Sequence, residues 1–319
     1  MERRRLGSTD LWVTPLALGT VELGMPYGLG LPAPPDDGTC IRFLRQAIDS
    51  GIGLLDTAAA YGRSEELIGR ALTGLGQRPV VATKVSLRAA GGTTPLTGRA
   101  LVAHVEASVC RSLRLLGTDS LDLLQLHSAE DTCVTDELLA LAGDLTRRGW
   151  VRYWGVSTYG EAAPLEALGY PDRFRALQVA YNLLDRRLDD RVLPACARLG
   201  VGVIFRSVLL QGVLSDRWRQ LPPHLAPLQT AAQAAAALAQ QSGMTLAELA
   251  VRFALHHPHA HTVLFGSTSP AELAANLRAV AAGPLPADLA AAVRLVEVSD
   301  TDLLHPGNWS HRQTTAQQN

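Results

Sequence analysis

Between Leu16 and Phe265 the chain alternates short apolar runs with longer stretches of helical period, eight times over. Parallel strands need a long crossover, and a helix is the usual one, so this alternation selects a parallel sheet built from βα units. The apolar runs predict strands near Leu16–Leu18, Gly53–Leu55, Val80–Lys84, Leu121–Leu126, Tyr153–Ser157, Ala176–Val179, Gly202–Ser207 and Thr262–Phe265, the sixth being the shortest. Eight such units close a barrel, and the fold class implied is α/β, a (β/α)8 barrel of the TIM type. Residues 3–14, with GSTD as a turn, read as an N-terminal β-hairpin. Residues 285–298 read as a final helix within a C-terminal extension of about 283–319. GLGLPAPPDD at 28–37 is loop-like, TTAQQN is a frayed tail, and no linker or repeat divides the chain. A single domain over residues 1–319 is expected.

The helical period is clearest over Gly98–Leu116, where Leu101, Val105, Val109 and Leu113 recur every fourth residue and predict one inward stripe. Helix starts are marked by a hydroxyl followed by acidic side chains, at Ser64, Thr135 and Thr245. The Ala-rich stretch 230–241 reads as a surface or inter-helix layer, and Cys110 as a packing residue of its helix.

With 319 residues, 47% of them apolar, the chain can bury a large core. Lys and Arg number 29 against 30 Asp and Glu, a formal charge of −1, which argues against nucleic-acid binding by counterion release and against an anionic membrane surface. A small-molecule partner fits better. The basic start at residues 1–5 is followed by no apolar signal region, and no run reaches the roughly 18 to 20 apolar residues of a membrane span. Cys40, Cys110, Cys133 and Cys196 are scattered, without metal-like spacing, so a reduced cytoplasmic protein is expected. His256, His257, His259 and His261 precede strand eight and fall at the barrel face away from the strand ends. A solvated turn is expected there rather than a metal site.

Barrel enzymes carry their chemistry at the C-terminal ends of the strands. Strand two ends in Asp56, strand three in Lys84 and strand four in His127, while Tyr61 stands in the loop five residues past Asp56. Neighbouring strands lie about 4.7 to 4.9 Å apart, so these side chains converge. A tyrosine hydroxyl, with an ordinary pKa of about 10, is a poor acid or base at neutral pH unless a nearby ammonium favours its phenolate. Lys84 is placed to do this, and Asp56 to keep Lys84 charged in a desolvated site. His127 would orient and polarise a carbonyl bound at the same point.

The strings GIGLLDTAAAYGRSEELIGRAL, VVATKV, LDLLQLH, WGVST, LQVAYNLLD and FGSTSPAELAANL resemble, in order and spacing, the motifs of the aldo-keto reductase superfamily, from about Leu6 to about Leu277. The resemblance implies an NAD(P)-dependent oxidoreductase interconverting a carbonyl and an alcohol, with a catalytic tetrad at Asp56, Tyr61, Lys84 and His127. It also implies nicotinamide contacts from Gly19, Thr20, Ser157, Thr158 and Gln178, and pyrophosphate contacts from Ser207, Leu209, Gly212 and Arg217. The adenosine end falls to Gly266, Ser267, Thr268 and Asn276 at the start of the last barrel helix, whose amides suit phosphate oxygens.

The chain departs from the pattern at several positions. Thr158 stands where an asparagine is usual, and Arg206 where many members stack an aromatic ring on the nicotinamide; a guanidinium is planar and also stacks. Gly266 and Glu272 occupy positions that often carry a cation for a 2′-phosphate. The implied cofactor is NADP(H), with Arg217 as a source of charge, and NAD(H) is the alternative. The implied substrate is an aldose, a keto sugar, or a small aldehyde or ketone, and the oligomeric state stays open. A cofactor-binding regulatory subunit with negligible turnover is the rival reading, as the potassium-channel β subunits of the superfamily illustrate.

Overall fold

The computed structural model describes residues 1–28, 33–129 and 134–309. Strands β1 (Arg4–Arg5) and β2 (Trp12–Val13) pair as an antiparallel hairpin. Then come β3 (Leu16–Gly19), β4 (Leu54–Asp56), β5 (Val80–Val85), β6 (Leu121–Ala129), β7 (Val151–Thr158), β8 (Phe174–Ala180), β9 (Gly202–Arg206) and β10 (Thr262–Gly266). These eight close a barrel in the order β10-β3-β4-β5-β6-β7-β8-β9, with every neighbouring pair parallel and helices between successive strands.

Alternation along each strand sorts its residues between two compartments. Leu16, Leu18, Leu55, Leu124, Leu177, Val203 and Phe205 face outward into the main core under the helices. Ala17, Leu54, Ala82, Leu123, Ala176, Ile204 and Leu264 face inward, where they meet Leu6, Leu11 and Val13 of the hairpin in a second cluster. β7 contributes Gly155 to this interior, where an added Cβ would fall 2.7 Å from the Ala176 carbonyl oxygen. The hairpin therefore plugs the N-terminal end of the barrel. Two residues further along the same strands stand Gly19, Asp56, Lys84, Gln125, Ser157, Gln178, Arg206 and Gly266. The fold thus sets a polar layer on an apolar one.

Several local expectations need correction. The sixth barrel strand, β8, runs seven residues rather than being the shortest, because ladders to β7 and β9 extend it past its apolar centre. Thr135 and Thr245 cap their helices by accepting from the Leu138 and Glu248 amides, but Ser64 does not cap helix Ser64–Leu72. Its hydroxyl is drawn instead to Thr20 and Thr57. On Gly98–Leu116 the buried stripe is Leu101, Val105, Val109, Ser112 and Leu116, following the true helical pitch, so Leu113 is only partly covered and Cys110 is exposed. The final helix is shorter than expected, Ala287–Arg294. The histidine run is not simply a solvated turn. The His257 side chain is only 7% exposed, packs on Tyr181 and Phe205, and lies 3.3 Å from Asp189. Cys133 and the 314–319 tail lie outside the described residues.

Candidate active site

A cleft of about 590 Å³ opens at the C-terminal ends of the strands. It is lined by Asp56, Tyr61 and His127, and by Gly19, Thr20, Ser157, Gln178, Arg206, Ser207, Leu209, Gly212, Arg217, Gly266, Glu272 and Asn276. Lys84 is buried just beneath this surface, while Thr158, Ser267 and Thr268 do not line it. A smaller cavity of about 310 Å³ lies at the other end of the barrel, where Arg152 is already engaged by Asp10 and Asp122.

Asp56 is the centre of the polar layer. One of its oxygens accepts from the Lys84 ammonium at 2.5 Å, and the other from Gln178 Nε2 at 2.6 Å and Gln125 Nε2 at 3.2 Å. Lys84 also donates to the Thr57 carbonyl at 2.9 Å. Satisfying both charges in this way is what makes a buried pair tolerable. Burial pulls the Lys84 pKa down and the adjoining Asp56 opposes it. Gln178 accepts from Ser157 at 3.3 Å, so the amide that the resemblance gave to the nicotinamide also holds the carboxylate.

Tyr61 reaches this centre from the loop after β4. Its ring lies 5.0 Å from the Lys84 ammonium and meets the His127 ring edge-on, with centroids 5.5 Å apart. Two glycines fix the loop: a Cβ on Gly24 would stand 1.9 Å from the Tyr61 carbonyl oxygen, and Gly62, at φ +54°, sits against Gly24. Thr20 and Ser64 hydroxyls, 2.6 Å apart, tie the loop to β3, and Thr20 donates to the Asp56 carbonyl at 2.9 Å. Burial, then the Asp56 charge, push the Tyr61 hydroxyl above its ordinary range, and Arg206 opposes them. The expected lowering by Lys84 does not set the direction, which follows burial and the Asp56 charge. Burial, then Lys84 and Arg206, hold His127 down to a pKa of about 3, so its ring is neutral at pH 7.

The rest of the cleft has the marks of a ligand cradle. Among the described residues, positive φ outside glycine occurs only at Ser207 (58°), Leu210 (44°) and Gln211 (54°), all in the loop after β9 that lines it. Such strain collects at ligand clamps. Gln125 Oε1, Thr158 Oγ1 and Arg206 Nε are buried without a partner. At the far end Glu22 and Glu272 stand with Arg217; burial, then Glu272, raise the Glu22 pKa against the pull of Arg217. Ser267 donates to Glu272 at 2.6 Å.

Sequence reading missed Gln125, Glu22, Tyr27 and Tyr159. Gln125 was accessible from its place two residues past inward Leu123. Glu22, Tyr27 and Tyr159 sit in loops or short helices, where no period reveals direction.

A sequence model of the Aldo/keto reductase family matches residues 15–297. Aldo-keto reductase YhdN of Bacillus subtilis is 28% identical over 302 residues, covering 86% of this chain and 87% of that protein. An Arabidopsis thaliana protein named "Probable voltage-gated potassium channel subunit beta" is 26% identical, covering 89% and 93%. The solved structure of aldo-keto reductase AKR11C1 from Bacillus halodurans, in its holo form, superposes with a TM-score of 0.76 at 30% identity, covering 93% of this chain and 96% of that one. The chain therefore belongs to the aldo/keto reductase family, whose activity is NAD(P)H-dependent oxidoreduction of carbonyl compounds.

Proposed function

We propose that this chain reduces an aldehyde, ketone, aldose or keto sugar to the alcohol, with Tyr61 as proton donor, and runs the reverse reaction with the same groups. The observation that carries the reading is the convergence of the Tyr61, His127 and Lys84 side chains around one point, above a carboxylate that three donors hold still. When bound, a dihydronicotinamide would supply the hydride for the carbonyl carbon. Tyr61 gives its proton to the carbonyl oxygen as negative charge gathers there, and its raised pKa keeps it protonated at neutral pH. His127, being neutral, donates a single N–H to the same oxygen and aims the carbonyl. Asp56 fixes Lys84 beside the phenol, and Gln125 and Gln178 fix Asp56.

The residues present fit a nicotinamide dinucleotide: unpartnered buried polar atoms adjoin the chemistry, and a strained loop follows β9. Gly19, Thr20, Ser157 and Gln178 would hold the nicotinamide, and Ser207, Leu209, Gly212 and Arg217 the pyrophosphate. Gly266 and Asn276 would hold the adenosine. For the choice of cofactor, the family resemblance and Arg217 speak for NADP(H), whereas Glu272 and Glu22 repel a 2′-phosphate and speak for NAD(H).

Tyr61→Phe removes the acid and keeps the shape. Turnover, followed by nicotinamide absorbance over a panel of sugars and carbonyls, should fall about 10² to 10⁴-fold while cofactor affinity holds. Undiminished turnover would overturn the mechanism, and a parent that binds cofactor without turning over any carbonyl would favour the regulatory-subunit reading.

A further inference from the structure

Arg206 ends β9 on the inner wall of the cleft. Its guanidinium lies over the Tyr159 ring, Cζ 3.8 Å from the centroid, and Tyr159 in turn stacks on His305 with centroids 3.7 Å apart. Nη2 donates to the Thr158 carbonyl at 2.8 Å and Nη1 to the Ser207 hydroxyl at 3.1 Å, while Nε is buried without an acceptor. None of these partners is a carboxylate, and among the described residues Arg206 makes no ion pair. Lys84, by contrast, is matched by Asp56 at 2.5 Å, and His127 is neutral. Among the described residues, the inner end of the cleft therefore holds one positive charge that no carboxylate matches, and its field bears on Tyr61, Lys84 and His127.

Geometry puts this charge beside the redox centre. Tyr61 protonates the oxygen of the carbonyl whose carbon takes the hydride, and reacting atoms must approach to about 3 to 3.5 Å. A nicotinamide ring delivering that hydride would sit within several ångströms of Tyr61, in the cleft that Arg206 also lines. The ring is neutral when reduced and carries one positive charge when oxidised. In the reduction, two electrons and one proton pass as hydride to the carbonyl carbon, and the Tyr61 proton passes to the oxygen. After Tyr61 regains a proton from solvent, the cleft is left with a cation facing a cation. Resting on the proposed function above, we infer that Arg206 makes the site select the reduced cofactor over the oxidised one and biases the chain toward carbonyl reduction. Charges several ångströms apart in a partly solvated site make a preference of about tenfold a reasonable scale.

Dissociation constants of NADH, NAD⁺, NADPH and NADP⁺ from the parent, Arg206→Gln and Arg206→Lys, read by tryptophan fluorescence and calorimetry, test this directly. The parent and the Lys variant should bind the reduced form of the preferred dinucleotide about tenfold more tightly than the oxidised. In the Gln variant, which keeps a donor for the Thr158 carbonyl, oxidised affinity should rise until the two are near equal. Equal affinities in the parent, or a Gln variant that weakens both forms alike, would overturn the inference and leave Arg206 a structural staple. Failure of the parent to bind any dinucleotide would sink the reading of the cleft as a cofactor site along with it.

Discussion

His127 shows how one buried side chain links chemistry to stability. Its folded-state pKa lies at about 3, against about 6.5 for an exposed imidazole. Between those values the unfolded chain takes a proton that the folded protein refuses, so stability rises with pH across the window and falls as pH drops below about 6.5. His127→Gln removes that proton linkage. Urea denaturation at pH 7, 5.5 and 4.5 should show a shallower acid loss in the variant, and parallel losses would mean that His127 is not neutral in the fold. The other residue-scale question is cofactor choice, where Glu272 stands with Glu22 against Arg217. Replacing Glu272 by Arg should tighten NADPH binding by about 1 to 3 kcal/mol, the scale of a hydrogen bond to a charged group, and leave NADH level. Equal changes for the two cofactors would remove Glu272 from the 2′ position.

At the scale of elements, the proposed proton donor Tyr61 depends on a loop held by close backbone packing as well as by side-chain hydroxyls. The carbonyl oxygen of Tyr61 lies where a Cβ on Gly24 would stand, at 1.9 Å, and backbone cannot yield as a flexible side chain does. Gly24→Ala must move either the short helix Val21–Gly24 or the Tyr61 loop. Overpacking of this kind costs about 1 to 3 kcal/mol of stability, but a phenol displaced by about 1 Å costs on the order of 10²-fold in rate. We expect kcat to drop by more than the change in Tm accounts for at assay temperature, with cofactor affinity less affected. Ser64 belongs to the same device: its hydroxyl is committed to Thr20 and Thr57 instead of capping its own helix.

Over the whole molecule, an apolar plug and a polar layer share one barrel interior. Leu6 and Leu11 of the hairpin are fully buried against Leu54, Leu123 and Ile204, and the polar residues stand one inward step above. The plug stabilises the barrel, and the polar layer spends part of that stability on buried charge. Leu6→Ala should cost about 2 to 5 kcal/mol, measured by urea unfolding, while cofactor dissociation constants stay level because the cavity opens away from the cleft. A large change in cofactor affinity would show that the two layers are mechanically coupled. Among the described residues no helix is long and apolar enough to cross a membrane.

The chain's own pattern determined the eight βα units, the hairpin and the strand ends that carry Asp56, Lys84 and His127, because alternation and helical period are local properties that need no partner to be read. The family resemblance also exposed Arg206 as a departure, a cation where many members carry an aromatic ring. Only the tertiary structure decided the full balance of charges. The pairing of Lys84 with Asp56 beside Tyr61 was legible from the strand ends, but the amides of Gln125 and Gln178 that complete the same carboxylate arise from contacts among four barrel strands. The charge of Arg206, unmatched among the described residues, the second acid at Glu22 and the burial of His257 on Asp189 have the same origin. Electrostatic balance depends on distances between residues remote in sequence and on how much water the closed barrel leaves among them, and those quantities come into being only when the chain has folded.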